Sequence, residues 1–270
     1  MLRTTCLTAA VAIAAPAFGQ VAELTVQPGQ SSASAQICLE PSGLGQRCDT
    51  DGSSISGMID IELDDYDMPG AISIHDFDLA LDGTLEYNMD WGSFIGGVDI
   101  TLTGVTISYA TPGIPTGPVV VDGAGDFEFP AVGAFTTGTG SFAGYGLVLE
   151  GLIGSGTFDL ADFGAVESSL AGNIAVNGGQ ITLTGFQTFA NSGEIEGVTA
   201  TIDGSATIVA IGEVPPCPGD FNGDGTVNTQ DVLAFLNAWT ANDPSADCTD
   251  DGSINTQDVL CFLNAWTTGC

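Results

Sequence analysis

Residues 220–240 read DFNGDGTVNTQDVLAFLNAWT, and residues 247–267 repeat the pattern as DCTDDGSINTQDVLCFLNAWT. Each position of the first copy recurs at a constant offset, so that Asp220 corresponds to Asp247. From NTQDV onward the copies differ at one position, where Ala234 stands against Cys261. The C-terminal region is therefore a tandem repeat, and its two copies should share one local fold.

Each copy begins with the spacing of a calcium-binding loop. Such a loop has oxygen donors at places one, three and five, glycine at six, a backbone carbonyl at seven, a water-mediated ligand at nine and an acid at twelve. Gly225 and Gly252 occupy the sixth place, and residues with suitable oxygens occupy the others. The sequence therefore predicts two calcium sites. The predicted ligands are Asp220, Asn222, Asp224, Thr226, Asn228 and Asp231 in the first loop, and Asp247, Thr249, Asp251, Ser253, Asn255 and Asp258 in the second.

The third place distinguishes the two loops. Asn222 offers a carboxamide oxygen there, whereas Thr249 offers a neutral hydroxyl, which is a poorer calcium ligand. We therefore expect the second site to bind calcium more weakly than the first.

One short helix is predicted after each loop. Apolar residues recur at spacings of three and four, which places a stripe along a helix of roughly three turns. Because so short a helix is marginal by itself, we expect the two stripes to pack against each other as a pseudo-twofold pair. No helical run precedes either loop, so each unit is a loop followed by one helix. The predicted stripes are Val232, Leu233, Phe235, Leu236 and Trp239, and Val259, Leu260, Phe262, Leu263 and Trp266.

With these two units and the closing Gly269-Cys270, residues 217–270 resemble a dockerin module of the GC-type variety, which anchors secreted proteins. The resemblance implies a calcium-dependent module whose partner is a cohesin-like or other surface receptor protein. It also implies partner contacts on the exposed helix face and at the two residues before each closing acid. Because these pairs are identical, two equivalent docking orientations are expected. The pairs are Thr229 with Gln230, and Thr256 with Gln257.

The N-terminus has the composition of a secretory signal peptide. Arg3 is followed by the apolar run LTAAVAIAAPAF, and Ala17-Phe18-Gly19 fits a cleavage site. The apolar run is too short to span a bilayer, and no later stretch is long and apolar enough to do so. We therefore expect residues 1–19 to be removed and the mature chain to be secreted, extracellular or at the cell surface.

The chain is strongly acidic, with a formal net charge of −32 and two basic residues, Arg3 and Arg47. Nucleic acid is excluded as a partner, because binding it requires a basic surface. Oppositely charged pairs must also be scarce. Calcium and dissolved salt are therefore expected to relieve the mutual repulsion of the carboxylates.

Six cysteines remain once Cys6 leaves with the signal peptide, and an even number in an exported chain predicts disulfides. Six cysteines allow fifteen pairings. We expect Cys38 to pair with Cys48, because both are far in sequence from the others and flank a turn. For the remaining four we favour Cys217 with Cys270, as a clasp around the repeat, and Cys248 with Cys261.

The region between the signal peptide and the repeat is predicted to be an all-β domain. Short runs alternate apolar with polar or small residues, as half-buried strands do, and no segment shows a helical period. We expect a mainly β, antiparallel, sandwich-like domain built as two sheets or one continuous sheet, with a β-solenoid as the structural alternative. Its many glycines are assigned to turns and bulges. The predicted boundaries are 20–212 for this domain, 213–219 for a linker and 220–270 for the calcium-binding module.

The all-β region also contains short internal matches. DITLTG at 99–104 matches QITLTG at 180–185, and VVVDGAG at 119–125 aligns with ATIDGSA at 200–206 at the same offset. These matches predict an internal duplication. Its two units would be residues 72–133 and 145–212.

Signals of catalysis are few. His75 is the only histidine, and its place in an alternating run favours a strand position with a satisfied side chain. With one histidine, no lysine and cysteines assigned to disulfides, no Ser-His-Asp or Cys-His arrangement can be built. We therefore expect a protein without enzymatic activity.

Two further groups of residues each have two possible interpretations. Asp64, Asp65 and Asp67 form an acidic turn, which is more often solvated than a third calcium site. Tyr87 and Trp91 are close in sequence and could stack on a sugar, although aromatic residues in strands are more often part of the core.

The leading functional hypothesis is an exported calcium-binding protein whose module anchors a non-catalytic β domain at the cell surface or in an extracellular assembly. The alternative is a carbohydrate-binding or carbohydrate-degrading protein delivered by the same module, with polysaccharide as its ligand.

Overall fold

The structure is a computed structural model that describes residues 20–195 and 197–269. The predicted signal peptide and Cys270 lie outside these residues. The chain divides into two compact units, one spanning Gln20–Pro216 and one beginning at Cys217. The first unit is the predicted all-β domain, although its last strand continues one residue past the expected boundary, to Glu213.

The described residues form twelve strands and three α-helices. Among these described residues, none of the helices is both long and apolar enough to cross a membrane. The strands are Val21–Val26 (β1), Ser32–Glu40 (β2), Arg47–Leu63 (β3), Ala71–Leu81 (β4), Leu85–Asp90 (β5), Gly97–Tyr109 (β6), Val119–Val120 (β7), Asp126–Tyr145 (β8), Ser155–Asp159 (β9), Ala165–Asn177 (β10), Gln180–Ile195 (β11) and Val198–Glu213 (β12); the helices are Leu149–Leu152 (α1), Thr229–Ala241 (α2) and Thr256–Thr268 (α3), with 3-10 turns at Leu160–Phe163 and Pro244–Ala246.

The strands belong to one antiparallel sheet that closes on itself. The pairing runs from β3 through β2, β12, β11, β10, β8, β6 and β4, and β4 then pairs with β3 again. Both β1 and β2 pair with β3 and with β12. β1 pairs with different residues of these two strands than β2 does. The antiparallel all-β prediction is confirmed, and of the two arrangements left open the structure has the single continuous sheet.

Alternation of apolar and polar residues decides which side of each strand faces inward. In β1, for example, Ala22, Leu24 and Val26 are buried and the residues between them are exposed. The inward side chains form two core clusters. One includes Leu24, and the other includes Tyr87.

Several glycines serve a purpose that the sequence analysis did not assign to them. A phenylalanine ring on one strand lies over a glycine directly opposite on the next, and a Cβ on that glycine would overlap the ring. These glycines therefore make room for aromatic side chains across the strands, as well as forming turns. The four pairs are Phe127 with Gly172, Phe142 with Gly156, Phe158 with Gly140, and Phe189 with Gly204.

The predicted internal duplication does not extend through the fold. The matched segments at 99–104 and 180–185 both lie in strands, β6 and β11. The second match fails structurally, because the Asp122 carboxylate accepts two backbone N–H bonds that form a turn, whereas Asp203 lies within β12 between two paired strands. Similar short motifs therefore adopt different structures according to their neighbours.

A short helix interrupts the strands after β8. β8 ends at Tyr145, and α1 begins four residues later. The backbone N–H groups of Val148 and Leu149 both donate to the carbonyl of Ile95, and the Leu149 side chain is fully buried. Anchoring of this leucine in the core accounts for the change of direction.

The structure contains the Cys38–Cys48 disulfide expected from the sequence. The two cysteines face each other on β2 and β3, with their Cα atoms 4.0 Å apart. This bond therefore links neighbouring strands on either side of one turn.

We predict that Gly172→Ala destabilises the β domain by about 2 kcal/mol, because the new Cβ overlaps both the Phe127 ring and the Thr184 carbonyl oxygen. Urea unfolding of the full chain in excess calcium, followed by the strand signal in circular dichroism, measures the change. Gly123→Ala is the control, because a Cβ there meets no atom within 4 Å. Equal stabilities for the two variants would show that the Phe–Gly pairs are unimportant.

Candidate metal centre

The first predicted calcium loop folds around the carboxylate of Asp220. This carboxylate accepts hydrogen bonds from three successive backbone N–H groups, those of residues 223–225, at 2.8–3.1 Å. Gly225, at the sixth place, has a φ of 82°, which a side chain would disfavour. The turn predicted from the loop pattern is therefore present, with the first aspartate at its centre.

The second loop folds in the same way around Asp247. Its carboxylate accepts from the backbone N–H groups of Asp251 at 3.2 Å and Gly252 at 2.8 Å. One difference lies at the fourth place, where Gly223 has a φ of 72° and the corresponding Asp250 a φ of 52°. A non-glycine residue in the left-handed region is energetically less favourable, so the second loop carries a strain that the first avoids.

The closing acids, Asp231 and Asp258, are fully buried. Asp231 accepts from the backbone N–H groups of Asn222 at 3.1 Å and Asn228 at 2.8 Å. Asp258 accepts from those of Thr249 at 3.1 Å and Asn255 at 2.7 Å. Each carboxylate therefore joins the third place of its loop to the ninth.

The same two acids complete the N-terminal caps of the helices. Asn228 and Asn255 are the N-cap residues of α2 and α3, and each forms a capping box with the closing acid of its own loop. Hydrogen bonds, above all from the backbone N–H of Asn228, lower the pKa of Asp231. Those from Asn255 foremost lower the pKa of Asp258. Both carboxylates are thus held in the charged form at the positive end of a helix.

Capping also occupies the predicted ninth-place ligands. The side-chain oxygen of Asn228 accepts from the Gln230 backbone N–H, and its amide nitrogen donates to the Thr226 carbonyl. Asn255 makes the equivalent bonds. Each amide oxygen has a second lone pair, so a water-mediated role at this place is compatible with capping.

The third places differ in their hydrogen bonding. The Asn222 amide nitrogen donates to Asp224 at 3.0 Å, while its oxygen accepts from the Asp224 backbone N–H at 2.8 Å. Thr249 instead donates its hydroxyl hydrogen to the closing Asp258 at 2.8 Å. The neutral hydroxyl therefore competes for the carboxylate that would close the second site.

The donor set of each loop fits calcium, which prefers carboxylate, amide and carbonyl oxygens. Asp220, Asn222, Asp224 and Asp231 would hold the ion in the first loop together with the Thr226 carbonyl, and the equivalent residues would do so in the second. Across residues 20–195 and 197–269, no three His, Cys, Asp or Glu side chains are grouped to hold a metal ion by themselves. The three aspartates predicted as ligands in each loop are therefore not grouped as a metal site by their carboxylates alone.

The two helices pack through a pair of stacked phenylalanines. The rings of Phe235 and Phe262 lie 4.2 Å apart at an interplanar angle of 5°, and both side chains are buried. Phe221 meets each of them edge-on. The predicted pairing of the helices is present, and corresponding residues meet at its centre.

Reciprocal tryptophan hydrogen bonds join the two units. The indole N–H of Trp239 donates to the Asn255 carbonyl, and that of Trp266 donates to the Asn228 carbonyl, both at 2.8 Å. Each helix therefore contacts the N-cap of the other helix. Sequence periodicity places these tryptophans in the apolar stripe and does not predict their hydrogen bonds. The acceptor of each indole N–H lies in the other unit, so it can be identified only from the paired structure.

The two copies also differ at the position of a disulfide. Phe221 and Ala234 of the first unit correspond to Cys248 and Cys261 of the second, which form the second expected disulfide with Cα atoms 5.9 Å apart. A covalent bond thus replaces an aromatic contact. The other expected pair, Cys217 with Cys270, involves a residue outside the described ones.

The packed stripe is narrower than predicted. Val232 and Trp239 pack beside Phe235, but Leu233 and Leu260 are each 63% exposed, and Leu236 and Leu263 are also exposed. The prediction was wrong for these four leucines. The small interface between the two helices is already filled by the phenylalanines, valines and tryptophans of the stripe. They lie on the outer face, next to the exposed residues predicted to contact a partner: Thr229, Gln230, Thr256 and Gln257.

The remaining candidate residues of the β domain have structural roles. His75 lies in β4 and bonds through Nε2 to Glu62 at 2.6 Å. Asp64 and Asp65 accept backbone N–H bonds within their turn, and Asp67 is exposed.

The two predicted stacking aromatics do not form a surface. Tyr87 is 2% exposed and Trp91 is 8% exposed. The Trp91 indole donates to the Gly45 carbonyl at 2.8 Å. Both residues belong to the second core cluster, so the sugar-stacking alternative is wrong.

Similarity to solved structures is weak. The attachment invasion locus protein Ail of Yersinia pestis aligns at 9% identity and a TM-score of 0.31, over 71% of this chain and 97% of that chain. Neisserial surface protein A aligns at 9% identity and a TM-score of 0.31, over 70% and 96%. The ywiB protein from Bacillus subtilis aligns at 11% identity and a TM-score of 0.14, over 74% and 96%. At these scores the alignments support no statement about function.

No curated protein matches the chain in sequence. A family match exists for the C-terminal repeat alone. Residues 218–265 match the family model of the dockerin type I domain, which confirms the dockerin module predicted from the repeat.

Proposed function

We propose that this chain is an exported, non-catalytic protein whose dockerin module binds two calcium ions and docks the β domain onto a cohesin-like or other surface receptor. The observation that carries the proposal is the repeated loop, folded around its first aspartate and closed by a buried acid that also caps the helix. Dockerin domains in general bind calcium and cohesins.

Two sites of unequal affinity follow from the third place of each loop. In the first loop, the Asn222 side-chain oxygen accepts a hydrogen bond from the Asp224 backbone N–H. As a carboxamide oxygen with a second lone pair, it remains a suitable calcium ligand. In the second, the Thr249 hydroxyl is bonded to Asp258, and Asp250 has a strained backbone. Both features lower the calcium affinity of the second site relative to the first.

Docking is supported by the exposed face shared by the two helices. Leu233 and Leu260 have the same exposure, and each lies one helical turn from a Thr-Gln pair. Large apolar side chains that remain exposed beside polar residues are typical of partner surfaces. Because the pattern occurs on both helices, a receptor could engage either one.

The role of the β domain is proposed to be non-catalytic. Its one histidine is paired with Glu62, its cysteines Cys38 and Cys48 form a disulfide, and Tyr87 and Trp91 are buried. No observation favours a carbohydrate ligand for this domain.

Export is supported by two features. Residues 1–19 have the composition of a signal peptide, and two disulfides are present in the described chain, as is typical of oxidising compartments. The cell surface or an extracellular assembly is the proposed destination.

A swap of the third-place residues tests the calcium proposal. We predict that Thr249→Asn strengthens calcium binding at the second site about tenfold, and that Asn222→Thr weakens the first site by a similar factor, because only the carboxamide is a good ligand at this place. Titration of the full chain against a chromophoric chelator at fixed ionic strength measures both affinities.

Ser245→Asn is the control for this swap, since Ser245 is exposed and lies between the loops. It should leave both affinities unchanged. Titrations that show a single site, or affinities that the reciprocal swap does not move, would contradict the proposal of two unequal sites.

A second prediction concerns the two docking orientations. Changing Thr229 and Gln230 to aspartate, or Thr256 and Gln257 to aspartate, should reduce affinity for a receptor isolated with this chain about twofold, because the other helix still offers the same face. The fourfold variant should lose binding. Surface plasmon resonance in excess calcium measures the affinities.

The control places the same added charge elsewhere, on exposed strand residues, as Ser169→Asp with Thr188→Asp. It should bind like the unmodified chain. Complete loss of binding in either double variant would instead show that one helix alone is recognised.

A further inference from the structure

The β domain encloses a cavity that the proposed function does not use. It has a volume of about 220 Å³ and lies inside the closed sheet. Its lining includes residues of both core clusters, among them Ala33 and Ala206 of the first and Tyr87 and Ile100 of the second. The cavity therefore separates part of the first core cluster from part of the second.

Small inward side chains account for this space. Ala33 and Ala206 face each other across β2 and β12, and Ala35 lines the cavity from the next inward position of β2. Ala134 lines the cavity from β8. Because alanine side chains are short, they do not reach across the interior from these inward positions, and the space between the opposite walls stays open.

The wall of the cavity is mainly apolar. Its lining includes many leucine, isoleucine, valine and phenylalanine residues, together with several alanines. At one side the lining residues become exposed, including Phe163, which is 48% exposed and meets the Phe158 ring edge-on. We take this side, with its two aromatic rings, as the entrance.

Charge is nearly absent from the lining. Of the described residues that line the cavity, only Glu194 carries a charge, and it is exposed. Burial of a charged ligand without a counter-ion would be costly, and the chain has a net charge of −32. An anion such as a fatty-acid carboxylate would therefore find no cation to pair with.

Polar groups are few inside the cavity, and one of them lacks a partner. Gln187 donates a hydrogen bond to Ser168, and both residues line the wall. Tyr87 also lines it, but its hydroxyl is buried and has no hydrogen-bond partner within the described residues. An unpaired buried hydroxyl is uncommon and destabilising, so it suggests a group that is supplied from outside the chain.

The hydroxyl of Tyr87 remains protonated at any ordinary pH. Burial foremost, with the charges of Asp51 and Asp49, raises the pKa of this group to about 12. It is therefore available to donate a hydrogen bond.

We propose that this cavity binds one uncharged, largely apolar molecule of about ten carbon atoms, with a polar group that hydrogen-bonds to the Tyr87 hydroxyl. The size follows from comparison with a dry apolar cavity of about 150 Å³, which accommodates benzene. Because all the lining residues belong to the β domain, the inference is independent of calcium binding and docking. It gives the β domain a role as a carrier or receptor of a small apolar ligand.

Two-ring aromatic probes of matched shape test the proposal. The full chain, in excess calcium, is titrated calorimetrically with 2-naphthol, naphthalene and 2-naphthoate. We expect 2-naphthol to bind at one site, naphthalene to bind about fivefold more weakly because it lacks the hydroxyl, and 2-naphthoate not to bind because of its charge. In Tyr87→Phe, 2-naphthol and naphthalene should bind equally.

A cavity-filling variant locates the site. Ala206→Leu places a larger side chain in the cavity and should reduce 2-naphthol affinity at least tenfold, whereas Thr207→Leu, the adjacent outward residue of β12, should not change it. If Ala206→Leu fails to fold, nuclear Overhauser effects between 2-naphthol and the methyl groups of Ile100, Leu102 and Ile202 in the unmodified chain give the location directly.

Three results would overturn the proposal. They are absence of 2-naphthol binding, binding of 2-naphthoate as tight as that of 2-naphthol, and Overhauser effects to methyl groups outside the cavity. Equal binding of 2-naphthol and naphthalene by the unmodified chain would overturn the assigned role of Tyr87.

Discussion

The C-terminal module depends on one buried carboxylate in each of its halves. Asp231 and Asp258 each accept backbone hydrogen bonds from two places of their loop and cap the helix that follows. The loop and the helix therefore cannot form independently. The carboxylates are charged and fully buried, and the described chain offers Arg47 as its only arginine or lysine. Backbone N–H groups, the helix N-terminus, the Thr249 hydroxyl at Asp258 and a calcium ion are thus the available sources of compensation.

The apolar core of the module is too small to offset this burial of charge. Three of its apolar residues are buried, Phe235, Ala246 and Phe262, and units of about fifty residues seldom fold on such a core without disulfides or metal ions. Reciprocal bonds from Trp239 and Trp266 fix the pairing of the two helices. Calcium is then expected to contribute folding free energy as well as affinity for a partner.

The β domain is stabilised differently. Its sheet closes on itself, and two core clusters within it bury many large apolar side chains. None of its strands depends on a predicted calcium ligand. Removal of calcium should therefore destabilise the C-terminal unit and leave the β domain unaffected, even though one polypeptide carries both.

Sequence alone predicted the features that depend on local spacing. The loop positions, the presence of one short helix for each loop, and the alternation of apolar and polar residues along the strands all follow from residues close together in the chain. Features that depend on distant partners were missed. Periodicity could not distinguish partly buried Val232 from exposed Leu233, because both lie within one broad apolar stripe.

The pairing of Phe127 with Gly172 likewise depends on strand register, which the sequence did not reveal. The cavity depends on it too, because Ala33 and Ala206 face each other only in the closed sheet. Similar motifs at 119–125 and 200–206 suggested a duplication, yet strand neighbours gave them different structures.

Hydrogen exchange of the intact chain, measured by mass spectrometry with calcium and with a chelator, tests the central claim most directly. The account predicts that amides of α2 and α3 lose protection when calcium is removed, while amides of β2, β11 and β12 keep theirs. Unchanged protection of α2 and α3 in chelator would show that the buried carboxylates are compensated without calcium, and would contradict the account.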